Sequence, residues 1–349
     1  MFVGHELLAF AVAGWGALQL GCNDRTALHA GTVAAVAALL PDLDIGYAAA
    51  TYAVAVAGGT PLGWAAFWGV ANATHRVVTH TLPTGVAATL VFGAAVVVAR
   101  LRWSTIGDRS RSHSGVATTV ALAGSAVVGS AALLSGFRTA VSPAAATVAG
   151  GFLACVAVAG WLLATRTDLS LSGTIAAAGV GFLSHPFGDV FLAAPPPLLS
   201  PFGPPVWTGR VSLAADPTLD IVSVLFVELA TVWAGLAVFS RVAGDRIGPG
   251  GRLRDALDRR AGVGLAYAPA AVLLPRPTIV DAHVLGATIV PFAAVVGVWA
   301  GSAAFRRGGA ADHTGADSRR LGSVYTGIVA GVTALTLAAI AYTVVYVVV

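Results

Sequence analysis

Long unbroken apolar runs make up nearly all of this chain, parted by short stretches of arginine, aspartate, glycine and proline. Apolar and polar residues do not alternate, as they would along the strands of an outer-membrane barrel. The runs instead approach the length that a membrane-spanning helix needs. The pattern predicts helical segments at roughly 5–22, 27–41, 45–59, 61–74, 82–101, 114–136, 141–164, 171–193, 219–241, 263–275, 279–304 and 322–348. The third, fourth and tenth are short for full spans and read as re-entrant or interfacial helices. The expected fold class is therefore all-α, a polytopic transmembrane helical bundle of roughly 9–12 membrane segments. The expected division is a membrane domain over 1–218, which holds the polar motifs, and additional transmembrane helices over 219–349.

Composition sharpens this picture. Of 349 residues, 57% are hydrophobic and only 10% charged, and the mean hydropathy is +0.82. A soluble domain carries roughly 25% charged residues. The 42 glycines and abundant alanine suit a bilayer, where helices pack through small residues that allow close approach. All 20 basic residues are arginine, which excludes lysine-based covalent chemistry. The net charge of +4 lies in short interhelical loops and reads as a topology signal, with no nucleic-acid partner implied. Cys22 and Cys155 stand far apart in apolar surroundings, so neither a disulfide framework nor a thiolate metal site is expected. No signal peptide is read, because no arginine precedes the first apolar run and that run carries His5 and Glu6.

Arginine sets the expected orientation. Arg100, Arg102, Arg109 and Arg111 surround one loop, Arg241 through Arg260 crowd a second, and Arg306, Arg307, Arg319 and Arg320 a third. Even numbers of segments separate these loops, which puts all three on one side, the cytoplasmic one by the positive-inside rule. The N-terminus and the polar motifs then fall together on the outer face of a multi-pass plasma-membrane protein.

Four stretches carry candidate chemistry, and ionisable residues beside membrane spans are functional candidates by default. His75 and His80, five apart, stand about 140° round a straight helix and could face one ion only from a turn. Pro83 suits the start of the helix that follows such a turn. Arg76 stands between them; the plainer alternative is a basic cluster at lipid headgroups. Asp42 and Asp44 follow Pro41, and an extended backbone there would point both carboxylates one way. His185 and Asp189, four apart, fit one helical face, while Pro186 and Gly188 interrupt the helix and open backbone around them. His5 and Glu6 begin the first segment. Asp216 and Asp220 precede the ninth and rank second to these.

Taken in order, Gly4-His5, Leu40-Pro41-Asp42-Leu43-Asp44, His75-Arg76-Val77-Val78-Thr79-His80 and His185-Pro186-Phe187-Gly188-Asp189 resemble the YdjM-like family of membrane-bound metal-dependent hydrolases. The His-Arg-x-x-Thr-His element is the specific one. The resemblance covers roughly residues 1–230. It departs at Ile45, where the family usually has histidine, and at Thr81, where it usually has serine. What it implies is a divalent metal site and a hydrolytic activity.

The expected metal ligands are His5, Asp42, Asp44, His75, His80, His185 and Asp189, a set that suits Zn, Mn or Fe better than an all-oxygen cage for Mg or Ca. Arg76 and Asp189 are the expected catalytic residues, with Arg76 clamping an anionic group of a lipid or lipid-linked phosphoester. Membrane lipids are thus the expected partners. The rival readings are a metal-binding transporter, for which broken helices and His/Asp ligands are also known, and a structural membrane protein without chemistry.

Overall fold

The structure is a computed structural model that describes residues 3–71, 76–104, 113–191, 195–247, 251–279, 281–307 and 316–349. Every regular element among them is helical, in accord with the expected all-α class. Seven stretches among the described residues are long and apolar enough to cross a membrane. The first is a run of 34 residues made of α2 (Asp24–Leu39), a 3-10 turn (Leu40–Asp44) and α3 (Ile45–Ala57). The others belong to α5 (Leu82–Ser104), α6 (His113–Ala140), α7 (Pro143–Leu163), α9 (Pro217–Ile247), α12 (Ala282–Arg307) and α13 (Ala316–Val348). Two further helices stay outside that set. α1 (Gly4–Gln19) has only 16 residues, and α8 (Leu171–Gly188) ends on His185 and Pro186, which dilute its apolar run. α4 (Trp64–Ala71) is a short helix of 8 residues.

The chain forms two compact units. The first comprises Val12–Val190 with Ala194–Arg210 and carries the motifs. Within it α2 and α8 run parallel. Both begin near Asp168, which pairs with Arg25 at 2.6 Å and gives its N–H to His29 Nδ1. Farther along, Gly181 of α8 lies against the backbone of Ala34, and a Cβ on it would meet Ala37 Cβ at 2.7 Å. Only glycine permits that approach, so the ends of α2 and α8 are held side by side.

α5 runs the opposite way, with Gly93 beside Ile175 near the start of α8 and Gly85 beside the carbonyl of Phe182 near its end. Arg100, late in α5, donates through Nε to the carbonyl of Ala164 just past α7, so α7 begins where α5 begins. α6 ends there too, with Gly136 against Pro201 and Phe202, and the same loop accepts the Leu82 N–H at Leu198. Phe92, Phe137, Phe152 and Phe182 fill the core between these helices. The end of α2, the turn before α5, the start of α7 and the end of α8 therefore meet at one end of the unit, opposite Arg25 and Arg100.

The second unit comprises Met1–Ala11, Phe191–Ala193 and Val211–Val349. Tyr346, late in α13, hydrogen-bonds Asp216 just before α9, while Tyr325 near the start of α13 packs on Phe239 late in α9. α9 and α13 are antiparallel, as are α12 and α13, which cross at Gly297 and Gly301 against Gly327 and Ser323. α9 consequently ends at the opposite end of the unit from where α12 begins.

The expected tenth segment, 263–275, bridges that gap, but not as a helix of its own. Asp258 pairs with Arg307 at 2.8 Å, Gly264 lies on Ala334, Tyr267 hydrogen-bonds Thr288 at 2.6 Å, and Arg276 stacks over Tyr346. This path follows α13 from one end to the other. It is built from α10 (Leu253–Ala256), a 3-10 stretch (Arg259–Tyr267) and α11 (Ala270–Leu273). Gly262, Gly264, Pro269, Pro275 and Pro277 keep it out of α geometry. Packing against α12 and α13 makes irregular backbone tolerable at that depth. The tenth segment thus runs along the length of α13 within its unit, as irregular backbone and short helical turns.

Candidate metal centre

The turn 76–81 is held from both sides. Thr81 accepts the N–H of Thr84 at 3.2 Å, an N-terminal cap for α5, and Thr84 gives its own hydroxyl to the carbonyl of Val78 at 2.7 Å. Thr81 thereby supplies the hydroxyl that a serine would. Arg76 takes the left-handed conformation, φ 74°, which costs a non-glycine residue roughly 1–2 kcal/mol. Its N–H donates to Asp44 Oδ2 at 2.9 Å, and its Nη2 lies 3.3 Å from Asp189 Oδ1. Strain of this kind persists only where the surroundings over-determine it.

His80 is the centre of the arrangement and is fully buried. The Thr79 hydroxyl lies 2.6 Å from Asp44 Oδ2 and 2.8 Å from His80 Nδ1. A carboxylate only accepts, so the single hydroxyl proton goes to Asp44 and Nδ1 must carry a hydrogen toward Thr79. That assignment turns Nε2 to the other side of the ring, where it carries the proton that an ion would have to displace. Nε2 faces Asp42 Oδ1 at 3.2 Å and Asp189 Oδ2 at 3.2 Å. His185 Nε2 stands 3.5 Å from the same Asp42 oxygen, and the two imidazoles lie with centroids 4.5 Å apart.

In the metal-free arrangement the proton on His80 is the cation among these oxygens, and a divalent ion could take its place. Three carboxylates here face one guanidinium, and a divalent ion would bring that count to neutrality in a buried setting where net charge is costly. Spacing supports the same conclusion. Ligand atoms bonded at about 2.0–2.1 Å in a tetrahedral zinc site stand about 3.3 Å from one another, against the 3.2, 3.2 and 3.5 Å seen here. Asp42, His80 and His185 form a group that could hold a metal ion. In the metal-free arrangement burial pulls the His80 pKa down, but hydrogen bonds and charge from Asp189, Asp42 and Asp44 outweigh it and push it up to about 9.

The carboxylates of Asp42 and Asp44 do not point the same way. The expected extended backbone is a 3-10 turn, because Pro41 enters it at an early position that needs no N–H. At about 120° per residue, positions two apart face apart. Asp42 accordingly meets the Nε2 side of His80 and Asp44 the Nδ1 side, where it orients the ring through Thr79. His185 and Asp189 come together as the helical spacing predicts, His185 inside α8 and Asp189 at its C-terminal end, both buried. Pro186 sits within the helix rather than ending it at once.

Of the remaining expected ligands, His75 lies outside the described residues. His5 is buried in the first turn of α1, in the other unit. Asp216 and Asp220 serve their own helix start. Asp216 accepts the N–H groups of Thr218 and Leu219, and Asp220 that of Leu213. Thr79 was not singled out by spacing, although its place before His80 in the motif was the signal for it.

A family model described as YdjM inner membrane protein matches residues 1–247, which is most of the chain and includes every one of these motifs; the chain belongs to that family. Neither a curated protein nor a solved structure gives a significant match.

Proposed function

From the premise of a YdjM-family inner membrane protein, we propose a metal-dependent hydrolase that cleaves a phosphoester of a membrane lipid or lipid-linked molecule. The observation that carries the proposal is the convergence of Asp42, His80 and His185, with Nε2 of His80 facing two carboxylate oxygens and its ring beside a second imidazole. Asp42, His80 and His185 would hold the ion, with Asp44 and Thr79 fixing the His80 ring. A divalent ion bound there would supply Lewis acidity and a water acidified toward pH 7.

The chain's own residues do the rest. Arg76 has one nitrogen on Asp189, while its buried Nε and Nη1 have no hydrogen-bond partner among the described residues. Buried guanidinium donors of this kind suit the non-bridging oxygens of a phosphoryl group. Asp189 is shared between Arg76 and His80 and would hold the proton that leaves the attacking water. As the new O–P bond forms and the ester O–P bond breaks, that proton passes to the departing alkoxide. The arginine distribution supports placing this end of the bundle at the outer face.

The test is a screen of lipid phosphoesters with the full-length protein in detergent, each assay paired with elemental analysis. Turnover that tracks bound Zn, Mn or Fe, and that is lost with metal in His80→Ala, is the expected result. Metal-dependent uptake into proteoliposomes without hydrolysis of any phosphoester would establish the transporter instead.

A further inference from the structure

A cavity of about 470 Å³ opens beside the metal centre, within the same unit, between the Leu40–Asp44 turn with the start of α3 on one side and α7 on the other. Its volume falls in the range of small-molecule sites, roughly 300–1,000 Å³. Leu40, Leu43, Val148 and Phe152 make its walls apolar. From α7 it takes residues at positions 144, 147, 148, 151, 152 and 155, one continuous helical face. Eleven residues of helix rise about 16 Å, close to the thickness of one leaflet of a bilayer core that measures about 30 Å. The face starts at the end of the unit where Asp44 and Thr79 line the cavity and runs from there toward the opposite end. Gly151 leaves open space along it, with no heavy atom within 4 Å of a Cβ built there.

We propose that this cleft binds the hydrocarbon tail of the lipid whose phosphoryl group reaches Arg76 and the metal centre. The inference rests on the reading of a lipid phosphoester as substrate, and it adds what selects that lipid. In a bilayer the apolar occupant available to walls of this kind is an acyl or prenyl chain. The polar lining at Asp44 and Thr79 belongs to the residues that hold His80. A tail lying along α7 would thus place its headgroup at the polar end and confine the choice of substrate by chain length.

Cys155 lines the cavity and is exposed, and Cys22 is the only other cysteine. In full-length protein carrying Cys22→Ala, the rate of Cys155 alkylation by a small maleimide is measured with inorganic phosphate, butyl phosphate, octyl phosphate and hexadecyl phosphate. The expected result is saturable protection by the long-chain esters and none by butyl or inorganic phosphate. Gly151→Leu, which fills the open space, should abolish protection by hexadecyl phosphate while metal content is unchanged. Gly151→Ala, too small to fill it, should retain protection and shows that the position tolerates a side chain. His80→Ala should lose metal but keep tail protection, so failure of the hydrolase reading is distinguishable from failure of the cleft. Equal alkylation at every chain length, or protection that survives Gly151→Leu, would assign the cavity to exchanging bulk lipid and overturn the proposal.

Discussion

The hydroxyl of Thr79 lies 2.8 Å from Nδ1 of its neighbour His80, and this short contact decides which ring nitrogen turns to Asp42 and Asp189. With its own proton committed to Asp44, Thr79 can only accept from the imidazole. Outer partners of this sort typically change metal affinity by about 10–100-fold. Thr79→Val, nearly the same shape without the hydroxyl, should lower metal affinity by about that factor. Thr79→Ser should restore most of it. Competition with a chromophoric chelator reads the difference, and equal affinity in wild type and Thr79→Val would remove Thr79 from the site.

Metal binding should also depend on pH in a defined direction. The metal-free His80 has its pKa raised to about 9, so at neutral pH the ring carries a proton that an ion must displace. Apparent affinity should therefore rise as pH increases from neutrality toward 9 and flatten above it. Binding near pH 7 should release a proton, seen as a calorimetric enthalpy that varies with the ionisation enthalpy of the buffer. Affinity independent of pH over that range would mean that His80 is no ligand.

Much of this arrangement was legible in the sequence, because spacing reports on local geometry. His185 and Asp189 four apart, and a turn rather than a helix around His80, follow from periodicity and from Pro83. The Asp42–Asp44 turn was not legible in the same way, since a proline starts a 3-10 turn as readily as it ends a helix. Nor does the tenth segment declare itself: its glycines and prolines forbid a regular helix, and only the partners that α12 and α13 offer make an irregular path affordable. Tautomer and tail cleft both depend on contacts between residues distant in sequence, which no pattern along the chain encodes.

Gly181 links packing to the site. A methyl group there would press on Ala34 and Ala37 and push α8 away from α2, separating His185 from Asp42. Overpacking of this kind typically costs about 1–3 kcal/mol. Gly181→Ala should lower the melting temperature and, in the fraction that folds, weaken metal binding although residue 181 touches no ligand. Gly286→Ala, with open space around it in α12, should leave both unchanged. Unaltered metal affinity in folded Gly181→Ala protein would show that the α2–α8 contact does not set the ligand spacing.

Arg76 offers the sharpest separation of chemistry from scaffolding. It contacts Asp189 through Nη2 and Asp44 through its backbone N–H, so a substitution that keeps the positive charge keeps much of the local structure. Arg76→Lys should bind metal normally, since the side chain is no ligand. If Arg76 only balances carboxylates or meets headgroups, the lysine variant should also turn over normally. If its planar guanidinium engages the phosphoryl oxygens, a compact ammonium cannot reproduce the fork and the loss falls on the transition state. Removing a donor of that type typically costs about 10²–10³ in turnover. The discriminating measurement is kcat for Arg76→Lys at full metal occupancy on a phosphoester that the wild type hydrolyses. A drop of that size with unchanged metal content assigns Arg76 to the reacting group. Wild-type turnover would return it to the scaffold, where its left-handed backbone serves only to bring Thr79 and His80 onto Asp44.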